Sequence, residues 1–250
     1  MTAEDLSRFE DLSYDDFRRL ASDESLSRHE KVGFPNSYRE GKEEAIFADI
    51  TAKLPSLLTP RRVVLDIGPG CSGLPIMLID LCRRMESSLL LVDSEEMLAQ
   101  LPDEPFIEKL PGRFPAETLL GDRTGKIDLM IAYSVLHYVF ADESIWAFLD
   151  RALALLAPGG ALLLGDVPNV SKRKRFFASD AGIAFHREFT GAPDPPRIAF
   201  NTIEEGKIDD AVVLALLARA RAAGFDAYVL PQPDDLPMAN RREDVLITTP

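Results

Sequence analysis

The chain has little of what metal and redox sites are made from. It carries 3 histidines and 2 cysteines in 250 residues. Cys71 and Cys82 have no histidine close by, a pattern that fits neither a disulfide nor a zinc site. His, Cys and carboxylate residues cluster nowhere along it, so no metal is expected. No apolar run approaches the ~18 residues of a membrane span. Residues 1–16 are acidic and lack the basic-then-apolar pattern of a signal peptide. The expectation is a cytoplasmic protein with no membrane partner. Positive charge is also scarce, with 28 Lys and Arg against 41 Asp and Glu, a net charge of −13. Such a surface repels phosphate backbones, which argues against nucleic acid as a partner. Internal repeats and low-complexity segments are absent as well.

What remains is an ordinary globular composition, 46% apolar, at a length that fits one α/β domain with modest additions. Ser13 with Asp16 predicts a capped short helix carrying Phe17 and Leu20. Further aromatics (Phe9, Tyr14, Phe34, Tyr38) are scattered through a polar first 40 residues. Ile46, Phe47, Ile50 and Leu54 make one stripe of a helix over 41–58. Strands then alternate with helices. Apolar runs predict strands at 63–68, 89–93, 106–110, 127–133 and 161–167. Leu74, Met77, Leu78, Leu81 and Cys82 form one helical face. Ile145, Phe148, Leu149, Ala152 and Leu155 form another, stopped by Pro158-Gly159-Gly160. Ser94 is placed to cap a short helix through Gln100. Residues 168–206 read as a long Pro- and Gly-punctuated insert. A helix over 208–220 and strands at 228–230 and 245–248 close the chain. This alternation predicts a doubly wound, mostly parallel sheet with its ligand crevice at the carboxyl ends of the strands. The expected division is an N-terminal helical cap over 1–58 and a main domain over 59–250.

The most informative stretch is Val63-Val64-Leu65-Asp66-Ile67-Gly68-Pro69-Gly70-Cys71-Ser72-Gly73. A buried strand ends beside an acid and breaks into glycines spaced G-x-G-x-x-G before a helix. The glycines are expected to let backbone approach something other than protein, a nucleotide-like cofactor. Asp93 follows at the end of the next strand, where an acid accepts hydrogen bonds from ribose hydroxyls. Both NAD and S-adenosylmethionine sites use such an acid. Asp66 discriminates between them. A buried carboxylate aimed at a pyrophosphate repels it, whereas one aimed at a cationic cofactor with a free amino group attracts it.

In these residues the chain resembles a class I S-adenosylmethionine-dependent methyltransferase of the small-molecule type. Leu65 to Gly73 is similar to the family's first motif and Leu91-Val92-Asp93 to its ribose-binding acid. Residues 127–139 resemble its fourth-strand motif, and residues 155–164 its turn into strand five. The resemblance implies a Rossmann-like seven-stranded sheet whose last strand runs antiparallel, with S-adenosyl-L-methionine as cofactor and methyl transfer as activity. It implies cofactor contacts at Asp66, Gly68, Gly70, Gly73, Asp93, Ser94 and Tyr133. Many relatives hold the adenine amine with an acid after strand three. Here Pro111-Gly112-Arg113-Phe114-Pro115 stands there, and the adenine is expected to be held instead by packing on Phe114 and by backbone groups.

Methyl transfer from a sulfonium needs alignment and exclusion of water, and a base only where the acceptor is a hydroxyl. His137, just past strand four, is the candidate base; the alternative is a ring that packs locally. Asp166 ends strand five, where it either orients the acceptor or makes a turn bond. His29 and His186 are weaker alternatives. Lys172-Arg173-Lys174-Arg175 is unusual in so acidic a chain. It is either a solvated face or, with Arg241-Arg242 converging on the same edge, an anion site with Phe176, Phe177, Phe185 and Phe189 as a lid. Arg173, Arg175, Arg241 and Tyr138 are therefore the expected acceptor contacts. The function expected is methylation of oxygen or nitrogen on a small anionic acceptor such as a sugar or glycan precursor. A non-catalytic cofactor-binding protein is one alternative. An NAD(P)-dependent oxidoreductase is another, disfavoured because no Tyr-x-x-x-Lys pair appears in the later half.

Overall fold

The computed structural model describes residues 12–250; Phe9 and the first part of the expected N-terminal cap lie outside them. Seven strands form one sheet: β1 (Val63–Ile67), β2 (Ser88–Asp93), β3 (Ile107–Pro111), β4 (Ile127–Tyr133), β5 (Leu156–Pro168), β6 (Asp226–Pro231) and β7 (Arg242–Thr248). Their order is β3-β2-β1-β4-β5-β7-β6. Neighbours among β1 to β5 pair in parallel, and β7 lies antiparallel between β5 and β6. The chain builds outward from β1 to β3 and then crosses back to β4. That reversal leaves a crevice where the carboxyl ends of β1 and β4 part.

Alternate residues of each strand feed opposite cores. Leu65, Ile67, Met130, Leu162 and Leu164 join one apolar cluster around Phe148. Val64, Leu129, Ile131 and Leu163 join a second with Ile46, Ile50, Leu78 and Ile79. Asp66 shares its parity with Val64, so it belongs to the second face just where that face runs out into the crevice.

The helices before the sheet are α1 (Tyr14–Ser22), α2 (Arg28–Lys31), α3 (Asn36–Arg39) and α4 (Glu43–Lys53). The Ser13–Asp16 capping box opens α1. The helix expected over 41–58 is shorter: α4 ends at Lys53, and Pro55–Leu58 tighten into a 3-10 turn. Pro55 offers no N–H to continue the ladder, and it pushes Leu54 out of the helical region. Next come α5 (Gly73–Arg84), α6 (Glu95–Leu98), α7 (Glu117–Leu120), α8 (Leu136–Asp142) and α9 (Ile145–Leu155). Pro158-Gly159-Gly160 does not merely stop α9. It is a bulge inside β5, where the pairing jumps from Ile127↔Leu156 to Leu129↔Ala161 and Gly159 turns to φ 73°. The expected insert holds α10 (Val170–Phe177) and α11 (Asp180–Thr190), capped by Asn169 and Ser179, before an irregular return to α12 (Asp210–Ala222).

Candidate functional site

The crevice's floor is built from strand ends and the residues just beyond them. Asp66 is 7% exposed, and its carboxylate makes no hydrogen bond or ion pair among the described residues. Burial first, and then the charge of Asp93, push it up to about 8. Asp93 is better supported. Its Oδ2 accepts the Gly70 N–H at 2.9 Å and its Oδ1 the Ser94 N–H at 2.7 Å. Burial raises it to about 6 against those two bonds. Each oxygen keeps a lone pair for a further donor.

Two of the loop's glycines, Gly68 and Gly70, line the cavity and also pack closely against the protein. A Cβ on Gly68 (φ 68°) would lie 2.6 Å from Val135 Cγ2, and one on Gly70 (φ 65°) 2.6 Å from Val32 Cγ1. The loop is therefore pressed by this chain's own side chains, and its left-handed turns exclude other residues. At Gly73 the neighbour is the Glu43 carboxylate. Glu43 Oε1 accepts the Gly73 N–H at 2.8 Å, with His29 Nε2 at 3.1 Å. Ser72 makes no capping bond, so α4 supplies the cap to α5. The free N–H groups and positive dipole end of α5 are thus met by a carboxylate of the protein itself.

A lid of N-terminal residues covers the loop. Tyr14, Phe17, Val32, Phe34 and Arg39 line one cavity with Asp66, Gly68, Gly70, Asp93, Phe114, Tyr133 and Tyr138. Phe17 meets the Tyr138 ring edge-on at 4.9 Å, and Phe114 meets Phe148 likewise at 5.0 Å. The lid is tied to the main sheet layer by Arg18 on Glu96, Lys31 on Gln100, and Gln100 on the Ala21 carbonyl.

At the other end of the cavity Arg39 is 6% exposed. Its guanidinium sits 4.1 Å from the Phe34 ring centre. It donates to Ser134 Oγ at 2.6 Å and Asp166 Oδ2 at 2.9 Å. Asp166 also accepts from Arg242, and Ser134 donates to it. The Asp166 N–H bonds Asp244 at 2.7 Å, and Asp244 pairs with Lys53, which also holds Asp49. Three cations and three carboxylates are thus buried as a connected, neutral network (Arg39, Arg242, Lys53; Asp166, Asp244, Asp49).

The expected site residues divide accordingly. Asp66, Gly68, Gly70, Asp93, Phe114, Tyr133 and Tyr138 come together on the cavity wall. Gly73 and Ser94 do not line it; Gly73 bonds Glu43, and Ser94 caps α6 through the Met97 N–H. His137 does not line the cavity; its ring packs on that of Tyr138, with 4.0 Å between ring centres. Its Nδ1 is buried without a partner, and burial holds its ring down to about 3. Asp166 stands behind Arg39 and Ser134, held by two arginines. Arg173 pairs with Glu204 and Arg175 with Asp210, both away from the cavity. Arg241 lines a second cavity. Missed from the sequence were Arg39, Glu43, Ser134 and the roles of Tyr14, Phe17 and Phe34. Ser134 stood inside the quoted fourth-strand motif. The lid aromatics were visible only as a scatter, and a lone arginine carries no local signal.

This strand order, the switch-point cavity and the two strand-end acids together decide the fold. It is the class I S-adenosylmethionine-dependent methyltransferase fold. No family model and no curated protein matches the chain. Solved methyltransferase structures do. Phosphoethanolamine N-methyltransferase 1 of Haemonchus contortus, in complex with phosphoethanolamine and S-adenosylhomocysteine, matches over all of this chain and 50% of its own, at TM-score 0.60 and 18% identity. The plantazolicin methyltransferase BpumL, in complex with a monoazolic desmethylPZN analogue and S-adenosylhomocysteine, matches over 98% of both chains at TM-score 0.57 and 11% identity. A SAM-dependent methyltransferase from Aquifex aeolicus matches 96% of this chain and 100% of its own at TM-score 0.54 and 13% identity. Among the described residues no group of His, Cys, Asp and Glu is arranged to hold a metal ion, and no helix is long and apolar enough to cross a membrane.

Proposed function

We propose that this chain binds S-adenosylmethionine beneath the N-terminal lid and transfers its methyl group to a small acceptor. The observation that carries the reading is Asp66, a buried carboxylate on the cavity wall with no partner among the described residues. Such a group calls for a cationic ligand. Glu43 adds the complementary argument: it occupies the end of α5, where a dinucleotide's pyrophosphate would otherwise sit. The donors and acceptors fit an amino-acid-bearing nucleoside. Asp66 would take the ammonium group, Arg39 the carboxylate, Asp93 the ribose hydroxyls, and Phe114 would pack on the base. When bound, the sulfonium supplies an activated methyl group, whose bond to sulfur breaks as the bond to the acceptor forms. The chain's own task is to align the acceptor and keep water out, which the apolar lid serves.

The cavity holds no histidine ring. Burial pushes Tyr138 up to about 12 and raises Tyr14, so neither takes a proton at neutral pH. With Asp66 and Asp93 assigned to the cofactor, an amine that arrives unprotonated or a hydroxyl acidic enough to ionise unaided is the acceptor that asks least of the chain. Calorimetric titration of S-adenosylhomocysteine against NAD tests the binding half. Heat with NAD alone sinks it. Transfer of radiolabel from the methyl donor to a candidate amine or phenol tests the catalytic half. Binding without transfer to any such acceptor favours a non-catalytic binding protein.

A further inference from the structure

A second cavity of about 760 Å³ opens on the same sheet edge, between α10, α11 and the β6–β7 connection. Its size falls in the range of small-molecule sites. One wall is aromatic. Phe176 and Phe185 meet at 5.7 Å between ring centres, and Phe185 and Phe189 stack at 6.0 Å and 6°. Yet Phe185 is 37% and Phe189 61% exposed, so this apolar face lacks a cover.

The rest of the lining carries charge of both signs, Lys42, Lys172 and Arg241 with Glu40, Asp234 and Asp235. Arg241 is half-buried in the 3-10 turn Ala239–Arg241, its carbonyl held by the Asn169 N–H at 3.0 Å and its N–H by Met238 at 2.9 Å. Unlike Arg173 and Arg175, it makes no ion pair among the described residues; its guanidinium sits 6.0 Å from the Phe177 ring centre. Burial first, and then the neighbouring charges of Arg242 and Arg173, lower its pKa. Half-buried Lys172 stands beside it, its ammonium already donating to the Arg242 carbonyl at 2.6 Å. Glu40, Asp234 and Asp235 also border the cavity, but all three are exposed. An unpaired guanidinium beside an uncovered aromatic wall calls for a ligand that is flat and apolar at one end and anionic at the other.

We propose that this second cavity is a binding site for an aromatic carboxylate, its ring against Phe176 and Phe185 and its carboxylate on Arg241. The site is separate from the cavity under the lid, and it stands whether or not the chain transfers methyl groups. The two cavities share one element: α3 hands Tyr38 to this cavity and Arg39 to the other.

The probe is 1-naphthylacetate, titrated calorimetrically into the full chain without any nucleoside. Its neutral isostere 1-naphthylacetamide and acetate alone are the controls. The acid should bind about tenfold or more tightly than the amide, the equivalent of one charge-assisted pair. Acetate should give no measurable heat. Arg241→Gln should erase the preference, leaving acid and amide equal. Phe185→Ala should weaken acid and amide by the same factor. Should the Gln variant fail to fold, Arg241→Lys takes its place and is expected to keep the preference while losing about threefold in affinity for the acid, because the planar fork is gone. No binding of the acid, equal binding of acid and amide by the native chain, a preference that survives Arg241→Gln, or an affinity unmoved by Arg241→Lys overturns the proposal.

Discussion

Asp66 makes the cavity's charge requirement measurable. Burial raises its carboxyl from 3.8 to about 8 in the ligand-free protein. At pH 7 a group titrating there is ~90% protonated. An ammonium group set beside it favours the ionised form and returns it toward the ordinary carboxylate range. Binding of S-adenosylhomocysteine at pH 7 should then release about 0.9 proton. Calorimetry in two buffers of different ionisation enthalpy reads this directly. Affinity should rise about tenfold per pH unit up to about 8 and level off above, since each unit of mismatch is worth ~1.4 kcal/mol. Below about 6 the slope steepens as Asp93 also takes up a proton. Asp66→Asn should abolish the proton release and weaken binding by roughly 10- to 150-fold, the ~1.5–3 kcal/mol of a charged hydrogen bond. The same shift has a stability consequence of opposite sense. A carboxyl raised by folding contributes stability that is complete below its unfolded value and is lost as pH rises through about 8. Ligand-free Asp66→Asn should therefore melt higher than the native chain at pH 8.5 and differ little at pH 4. Binding without proton release at pH 7, or a release that persists in Asp66→Asn, would refute the assignment of Asp66 to a cationic group.

Four further outcomes follow from the packing. Asp166→Ala leaves Arg39 and Arg242 buried without a counter-charge, and urea unfolding should show a loss of about 3–5 kcal/mol. Gly68→Ala forces a side chain into a left-handed turn and against Val135, so it should unfold at lower denaturant. Val135→Ala in the same chain should recover part of the loss by removing the contact. Phe148→Ala empties a fully buried ring site beneath Phe114, and equilibrium denaturation should show a loss of about 3–5 kcal/mol. Glu43→Ala removes the cap of α5 and should cost about 1 kcal/mol, a drop of roughly 2–4 °C in melting temperature. If that variant melts unchanged, Glu43 is not holding the helix end.

Much of the frame is legible in the sequence because it rests on local periodicity. The runs at 63–68 and 127–133 are apolar on both faces, as a strand covered by helices must be. The helix after the glycine loop repeats at i, i+3 and i+4. Asp66 and Asp93 are found because each follows directly from a strand end, where the chain leaves the sheet at the ligand edge. What the sequence did not show shares one cause. Whether Arg173 is a free cation depends on Glu204, 31 residues on, and whether Arg175 is free depends on Asp210. Local charge density gives no hint of either. Pro158-Gly159-Gly160 reads as a helix stop from its residue types, but its role as a bulge comes from what β4 offers opposite. His137 and Tyr138 are adjacent in sequence, and only the packing around α8 makes Tyr138 a cavity wall and His137 a ring packed on it.

The sequence by itself determined the alternation of strands and helices, the sharp turn after β1 and the acids at two strand ends. These depend on residues within a few positions of one another. Tertiary structure alone decided what surrounds those acids. It brought α1 to α3 over the glycine loop, set the carboxylate of Glu43 at the start of α5, and buried Arg39 against Asp166, 127 residues away. The charge state of a buried group depends on everything packed around it, and in this chain most of those neighbours come from distant segments.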